Sequence, residues 1–237
     1  MDLRVVTYNI HRCRGLDRRV RPERTAAVLA DIGADIVALQ EVIGPGLTGS
    51  GHAEFIGAAL GMGWVMASTR ELRRHQFGNV VMSRYPIREH VQLDLSWKTC
   101  EPRGCQRVAV DLGAGRLLQV YNVHLGTALL ERRYQANRLA GWVHGRRPAG
   151  PKLVLGDFNE WSRGLVRDVL RDRLQSVDLF AHLRRRRTYP GFFPVLHLDH
   201  IYFDGDIDVR RVELPRTRRA LVASDHLPLV ADLRVRL

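Results

Sequence analysis

Short apolar runs of strand length, bounded by turn residues, recur along this chain. They include LRVVTYNI (3–10), DIVALQEV (35–42), NVVMSRY (79–85), RLLQVYNVHL (116–125), KLVLGDF (152–158) and LPLVADLRV (227–235). Between several of them the spacing becomes helical. Pro22 sits where a first helical turn tolerates a residue with no amide hydrogen; Ala26, Ala27, Leu29 and Ala30 follow, and Gly33 stops the run. A second helix is predicted over Leu129–His144, where Glu131 and Gln135, and Arg132 and Ala136, lie four apart on one face. A third covers Leu165–Leu174, and GPGLTGSGH from Gly44 to His52 reads as a loop. The stretch 79–125 alternates strand and turn without helices, which argues against a sheet carrying a helix after every strand. The pattern predicts one α/β domain over 1–237, with two strand-rich layers and helices outside.

Composition narrows this picture. The chain has 237 residues, 45% hydrophobic and 26% charged, which excludes a disordered or fibrous polymer. No apolar run approaches the roughly 18–20 residues that span a bilayer. The start, MDLRVVTYNI, has charges at Asp2 and Arg4 and no apolar core, so the expectation is a cytoplasmic protein without a cleaved secretory signal. Cys13, Cys100 and Cys105 are odd in number and lack paired spacing, which argues against a zinc site. Cys100 and Cys105 flank the turn CEPRGC and could bridge under oxidation; in a reducing compartment two free thiols are expected.

The net charge of +12 favours polyanionic partners, either nucleic acid or an anionic membrane surface. Arginines cluster at Arg70, Arg73 and Arg74, at Arg132 and Arg133, at Arg146 and Arg147, from Arg184 to Arg187, and at Arg216, Arg218 and Arg219. The segment RRRRTYPGFF (184–193) interleaves cations with Tyr189, Phe192 and Phe193. Such a mixture tracks a nucleic-acid backbone while stacking on bases, or settles among lipid headgroups.

Polar residues interrupt the apolar runs in a repeated way. Asn9 in TYNIH, Glu41 in ALQEV, His124 in YNVHL, Asp157 and Asn159 in LGDFN, and Asp225 and His226 in ASDHLPL each read as the C-terminal end of a strand or the loop after it. Asp199 in HLDHIYF opens a strand. Ligands of open α/β sheets gather outside the carboxyl ends of strands, so these residues are candidates for one shared site. A carboxylate such as Glu41 at the end of a buried strand needs a cation or water. Asp157 and Asn159, two apart, face the same way on an extended backbone. Ordinary alternatives exist for each: an Asx turn for Asn9 or LGDFN, a salt bridge for Glu41, a helix cap at Ser224 or Asp225, bare surface for Asp199.

In their order, Asn…Glu…His…Asp-x-Asn…Asp…Asp-His, these clusters resemble the endonuclease/exonuclease/phosphatase superfamily, the exonuclease III and DNase I-like group. The resemblance runs from TYNIH (7–11) to SDHLPL (224–229), and FGNVVMSRYPI (77–87) and CEPRG (100–104) are similar to its compact bacterial branch. It implies a four-layer α/β sandwich, two facing mixed β-sheets flanked by helices, with a site at one rim. It implies Mg²⁺ or Mn²⁺ on Asn9, Glu41 and Asp225, an oxygen-only set that suits a hard cation. Asp157 and Asn159 would then position and deprotonate the attacking water. His226, oriented by Asp199, would support a phosphoryl oxygen, with His124 doing the same from the neighbouring strand.

Arg103 is expected as a phosphate clamp, because its planar fork matches phosphate oxygens; a solvated turn arginine is the alternative. Asn79 either lines the same cleft or sits in a plain turn. The implied activity is divalent-metal-dependent hydrolysis of nucleic-acid phosphodiesters, DNA first. The alternative is a phosphatase or phospholipid phosphodiesterase, with anionic lipid or a phosphorylated small molecule as partner. One departure stands out. Exonuclease III-type AP endonucleases carry a Trp-containing segment where this chain reads YPGFFPVLHLDH (189–200), which puts an abasic-site pocket in doubt.

Overall fold

The computed structural model describes residues 1–47, 49–145, 150–161, 164–171, 174–176, 182–183, 187–193 and 195–236. In chain order the elements are β1 (Asp2–Asn9), α1 (Pro22–Ile32), β2 (Ile36–Gly46), α2 (His52–Leu60), β3 (Gly63–Leu72), β4 (His75–Ser83), β5 (Ile87–Asp94), β6 (Gly104–Asp111) and β7 (Leu117–His124). They continue with α3 (Leu129–His144), β8 (Lys152–Asp157), α4 (Leu165–Arg171), β9 (Gln175–Ser176), β10 (Asp199–Asp204), β11 (Ile207–Glu213), α5 (Arg218–Ala223) and β12 (Leu229–Val235).

The strands form two six-stranded sheets, ordered β11-β12-β1-β2-β4-β3 and β5-β6-β7-β8-β10-β9. Both are mixed: β1 pairs parallel with β2 and β7 parallel with β8, and the other pairings are antiparallel. Successive side chains of a strand point to opposite faces. Val5, Ile36 and Ala38 of the first sheet therefore meet Val120, Leu153 and Leu155 of the second in a core between the sheets. Their neighbours Val6, Val37 and Leu39 face the other way, onto Val28 and Leu29 of α1 and Ile56 of α2. On the far side Tyr121, Val123 and Val154 pack against Leu139 and Val143 of α3 and Leu170 of α4. Both faces of the central strands are covered, which is why they read as unbroken apolar runs. The result is the expected helix–sheet–sheet–helix sandwich.

Several elements differ from expectation. β2 runs on through Pro45 to Gly46, into the stretch read as loop, and α2 follows from His52, where no helix was expected. The N–H of Gly51 donates to Glu54 Oε2 at 2.9 Å, a side-chain cap for a helix whose small residues carry little amphipathic signal. β3, β5, β6, β9 and β11 add strands to the six apolar runs and the strand expected at Asp199. Cys105 is buried, Cys100 is half-buried, and both are free. Among the described residues no helix is long and apolar enough to cross a membrane.

The arginine clusters also need correction. Arg132 is buried and donates to the carbonyls of Gly126 and Thr127, so it closes the loop before α3 rather than facing solvent. Arg70 is tied to Glu101 at 2.5 Å and Arg219 to Asp31 at 2.7 Å. Arg146, Arg147, Arg184, Arg185 and Arg186 lie outside the described residues.

Candidate active site

Strand direction brings the chemistry to one end of the sandwich. β1 ends there at Asn9, β7 at His124 and β8 at Asp157. His124 and Asp157 are register partners in the parallel β7–β8 pair. β10 runs antiparallel to β8 and starts there, with Asp199 opposite Asp157. β12 runs antiparallel to β1, so Asp225 and His226, in the loop leading into β12, reach the same rim. That corrects their expected place at the end of a strand: they precede one. Glu41 lies inside β2, at a register break between Leu39 and Val42, with φ +56°. The bulge turns its carboxylate from the strand pleat to the rim.

The side chains converge on Oδ2 of Asp157. Asn9 Nδ2 donates to it at 3.0 Å, and the Nε2 atoms of His124 and His226 each lie 3.6 Å away. His226 Nδ1 is 3.0 Å from Asp199 Oδ2, so this imidazole bridges two buried carboxylates. Burial works against a charged His226, but Asp199 and Asp157, the Asp199 hydrogen bond and Asp225 outweigh it and raise the pKa to about 10. For Asp157 burial is the largest influence and raises its pKa, against the pull of His226. Burial, then the charges of Arg103 and His226, hold His124 well below the usual imidazole range. His226 is thus a cation with two donors, and His124 is neutral.

Arg103 settles which nitrogen of His124 carries the proton. Its Nη1 lies 3.1 Å from His124 Nδ1, and a guanidinium only donates, so Nδ1 accepts and Nε2–H faces Asp157. The other arm of Arg103 reaches Glu101 at 2.8 Å, and Glu101 also holds Arg70. Asn159 is likewise committed: its N–H donates to Asp157 Oδ1 at 2.9 Å and its side-chain amide to Leu125 O at 2.8 Å. It orients Asp157 from a backbone at φ +47°. Asn79 is buried, with its amide on Gly104 O at 3.1 Å, where it braces β4 against β6.

Sequence reasoning missed four residues of the site. His11 and Arg12 follow Asn9 in a turn where His11, Arg12 and Cys13 all have positive φ. His11 N–H donates to Asn9 Oδ1 at 3.0 Å, its Nδ1 lies 3.4 Å from Asp225 Oδ1, and Arg12 reaches both His11 and Glu41. Tyr189 packs 4.9 Å from the His226 ring, and Trp161 stands edge-on to Tyr189. Only Tyr189 had a signal, in YPGFF. Beneath the rim, Gln40 donates to Asn122 Oδ1 at 2.7 Å and Asn122 donates to Leu39 O and Val80 O, a buried polar tie between the sheets.

Two groups of side chains compete as a metal cradle. The tightest cluster of ligating atoms among the described residues is Asp157, Asp199 and His226, within 4.8 Å of one another. His226 and Asp199 are hydrogen-bonded to each other, and the charge that Asp199 and Asp157 favour on His226 works against its offering a lone pair to a metal. Asn9, Glu41 and Asp225 fit a hard divalent cation better. Each offers an oxygen, Asn9 Nδ2 donates to Glu41 Oε1 at 3.3 Å, and both carboxylates are partly open to solvent. Burial raises the pKa of the Tyr189 phenol, and the charges of Asp225, Asp157 and Glu41 raise it further, so the pocket facing that ring is anionic.

A family model described as Endonuclease/Exonuclease/phosphatase family matches residues 6–226. The chain belongs to this family. Its members are phosphoester hydrolases, generally dependent on a divalent metal, and this endonuclease/exonuclease/phosphatase chain is a phosphoester hydrolase. It is 34% identical to the uncharacterized protein YbhP of Escherichia coli, over 99% of this chain and 97% of that one. The fold is similar to a Bacteroides thetaiotaomicron mannosyl-6-phosphatase, with TM-score 0.78, 19% identity, and 98% and 99% of the two chains covered. It is equally similar to D. rerio TDP2 complexed with a single-strand DNA product, with TM-score 0.79, 16% identity, and 99% of each chain covered.

Proposed function

We propose that this hydrolase cleaves phosphodiesters by attack of a water held at Asp157, and that nucleic acid, DNA first, is the polyanion its net charge of +12 favours. One observation carries the reading: Asn9, His124 and His226 all direct donors at a single buried carboxylate oxygen. That oxygen is the base, and the donors around it keep it ionised and aimed. His226 holds its charge through Asp199 and is placed to give a hydrogen bond, then a proton, to a phosphoryl or leaving oxygen. His124 Nε2–H adds a second donor to the same space. Asn9, Glu41 and Asp225 would hold Mg²⁺ or Mn²⁺, which supplies positive charge against the phosphoryl oxygens.

The structural neighbours are named for DNA and for a phosphorylated sugar, at identities that establish only the shared fold. A second reading, with a phospholipid or phosphorylated small molecule as substrate, is favoured by aliphatic side chains left bare at the rim: Leu130 is 64% and Leu47 89% exposed. The test is hydrolysis of bis(p-nitrophenyl) phosphate, duplex and single-stranded DNA, RNA and inositol phosphates with Mg²⁺ or Mn²⁺. The expected result is cutting of the diester and of DNA, steeply weakened by salt. Diester hydrolysis without cutting of any nucleic acid at low salt moves the protein to the second reading. No hydrolysis of any of them overturns both.

A further inference from the structure

We infer that the catalytic rim is a docking surface for an anionic phospholipid bilayer. The inference rests on the second reading of the site. Most of the large hydrophobic side chains that the described residues leave exposed belong to loops or helix starts at the end of the sandwich where β1, β7 and β8 finish. Leu129 and Leu130 open α3, five and six residues beyond the strand end at His124. Trp161 follows Asn159 by two residues. Phe192 and Phe193, at 66% and 69% exposed, flank the cleft, because the preceding Gly191 N–H donates to Asp225 O at 2.6 Å. Leu47 lies past the end of β2, beside the β3–β4 turn, where its N–H meets Arg74 O. Apolar side chains gathered around one opening mark an interaction surface, whereas scattered ones need no explanation.

The chemistry of these residues chooses the partner. A base-binding platform needs flat aromatic faces, and Leu47, Leu129 and Leu130 offer none. Aliphatic and aromatic side chains together suit the headgroup–acyl boundary, where each gains by leaving water. Cations complete the match. Lys98 in the β5–β6 loop, Arg133 early in α3 and Arg187 ahead of Phe192 are exposed, and they make no ion pair among the described residues. A rim that is apolar and cationic is complementary to a negatively charged leaflet. Docked in this way, the cleft opens onto the plane of the phospholipid phosphates.

The experiment is co-sedimentation of the purified protein with vesicles of phosphatidylglycerol and phosphatidylcholine, against vesicles of phosphatidylcholine alone. The wild type is expected to sediment with the anionic vesicles, less so in high salt. Phe192→Ser with Phe193→Ser, and separately Leu129→Ser with Leu130→Ser, should each lower the partition at least tenfold, since two large side chains lose their place in the interface. All four residues are exposed, and hydrolysis of bis(p-nitrophenyl) phosphate should stay within twofold of wild type. The inference is overturned if the wild type stays in the supernatant or if both variants sediment like wild type. It is equally overturned if the variants lose binding to a single-stranded oligothymidylate and keep the vesicles. Loss of diester hydrolysis in the wild type would instead strike the proposed chemistry, which the sedimentation does not measure.

Discussion

Asp157, His226 and Arg103 show how much a single atom's partner decides. Asp157 Oδ2 gathers donors from Asn9, His124 and His226, so Asp157→Ala or His226→Ala should lower turnover by about 10²–10⁴-fold with the fold intact. Either variant keeping a tenth of the wild-type rate, with wild-type circular dichroism, would remove it from the reaction. Arg103 acts through His124 Nδ1. Arg103→Met should release the ring to exchange tautomers, visible in ¹⁵N shifts of His124, and cut turnover roughly tenfold, with Arg103→Lys recovering part of it. A His124 spectrum that does not change in Arg103→Met would show the contact to be idle. Glu41→Ala should raise the Mg²⁺ concentration for half-activation at least tenfold; unchanged activation would take Glu41 out of the ligand set.

At the level of elements, readability in the sequence followed burial. β1, β2, β7, β8 and β12 are covered on both faces and stand out as apolar runs, whereas β5 alternates exposed and half-buried residues and has no such run. α2 hides because its small residues follow a glycine-rich approach. Asn9, His124 and Asp157 were legible because each is polar where a buried strand gives out, Asp199 and Asp225 because each is polar where one begins, and Glu41 because it interrupts the apolar run of β2. His11 and Arg12 were not, since three consecutive positive φ values at non-glycine residues leave no mark in composition. The β7–β8 pair carries its own test. Gly156 has φ +153°, and a Cβ there would collide with Val123 O. Gly156→Ala should cost roughly 2 kcal/mol or more in urea unfolding and displace the adjacent His124–Asp157 pair. Wild-type stability in that variant would mean the strands tolerate a wider spacing.

For the whole molecule, imidazoles with lowered pKa values set much of the response to acid. Burial lowers the pKa of His52, His90, His124 and His200, the last two well below the usual range. The unfolded chain takes up protons at about pH 6.5 that the folded one refuses, so stability is full above that value and is lost as pH falls. Asp157 and Glu160, raised by burial, and His226, held protonated by Asp199 and Asp157, pull the other way, three groups against four, so the net loss is small. The urea midpoint should therefore fall between pH 7.5 and 5.5, and His200→Phe, which removes an imidazole packed between Phe158 and Tyr202, should flatten the fall. A midpoint that climbs on acidification would contradict the placement of these rings.

The centre is stitched from positions 9, 41, 124, 157, 199 and 225–226 of a 237-residue chain, with each sheet contributing only part of it. A growing polypeptide on the ribosome thus has no working scissors until His226 has emerged and the two sheets have met. Hydrolytic power switches on last, as a certificate of correct assembly, and a chain that stalls or misfolds midway is harmless to the phosphoesters around it.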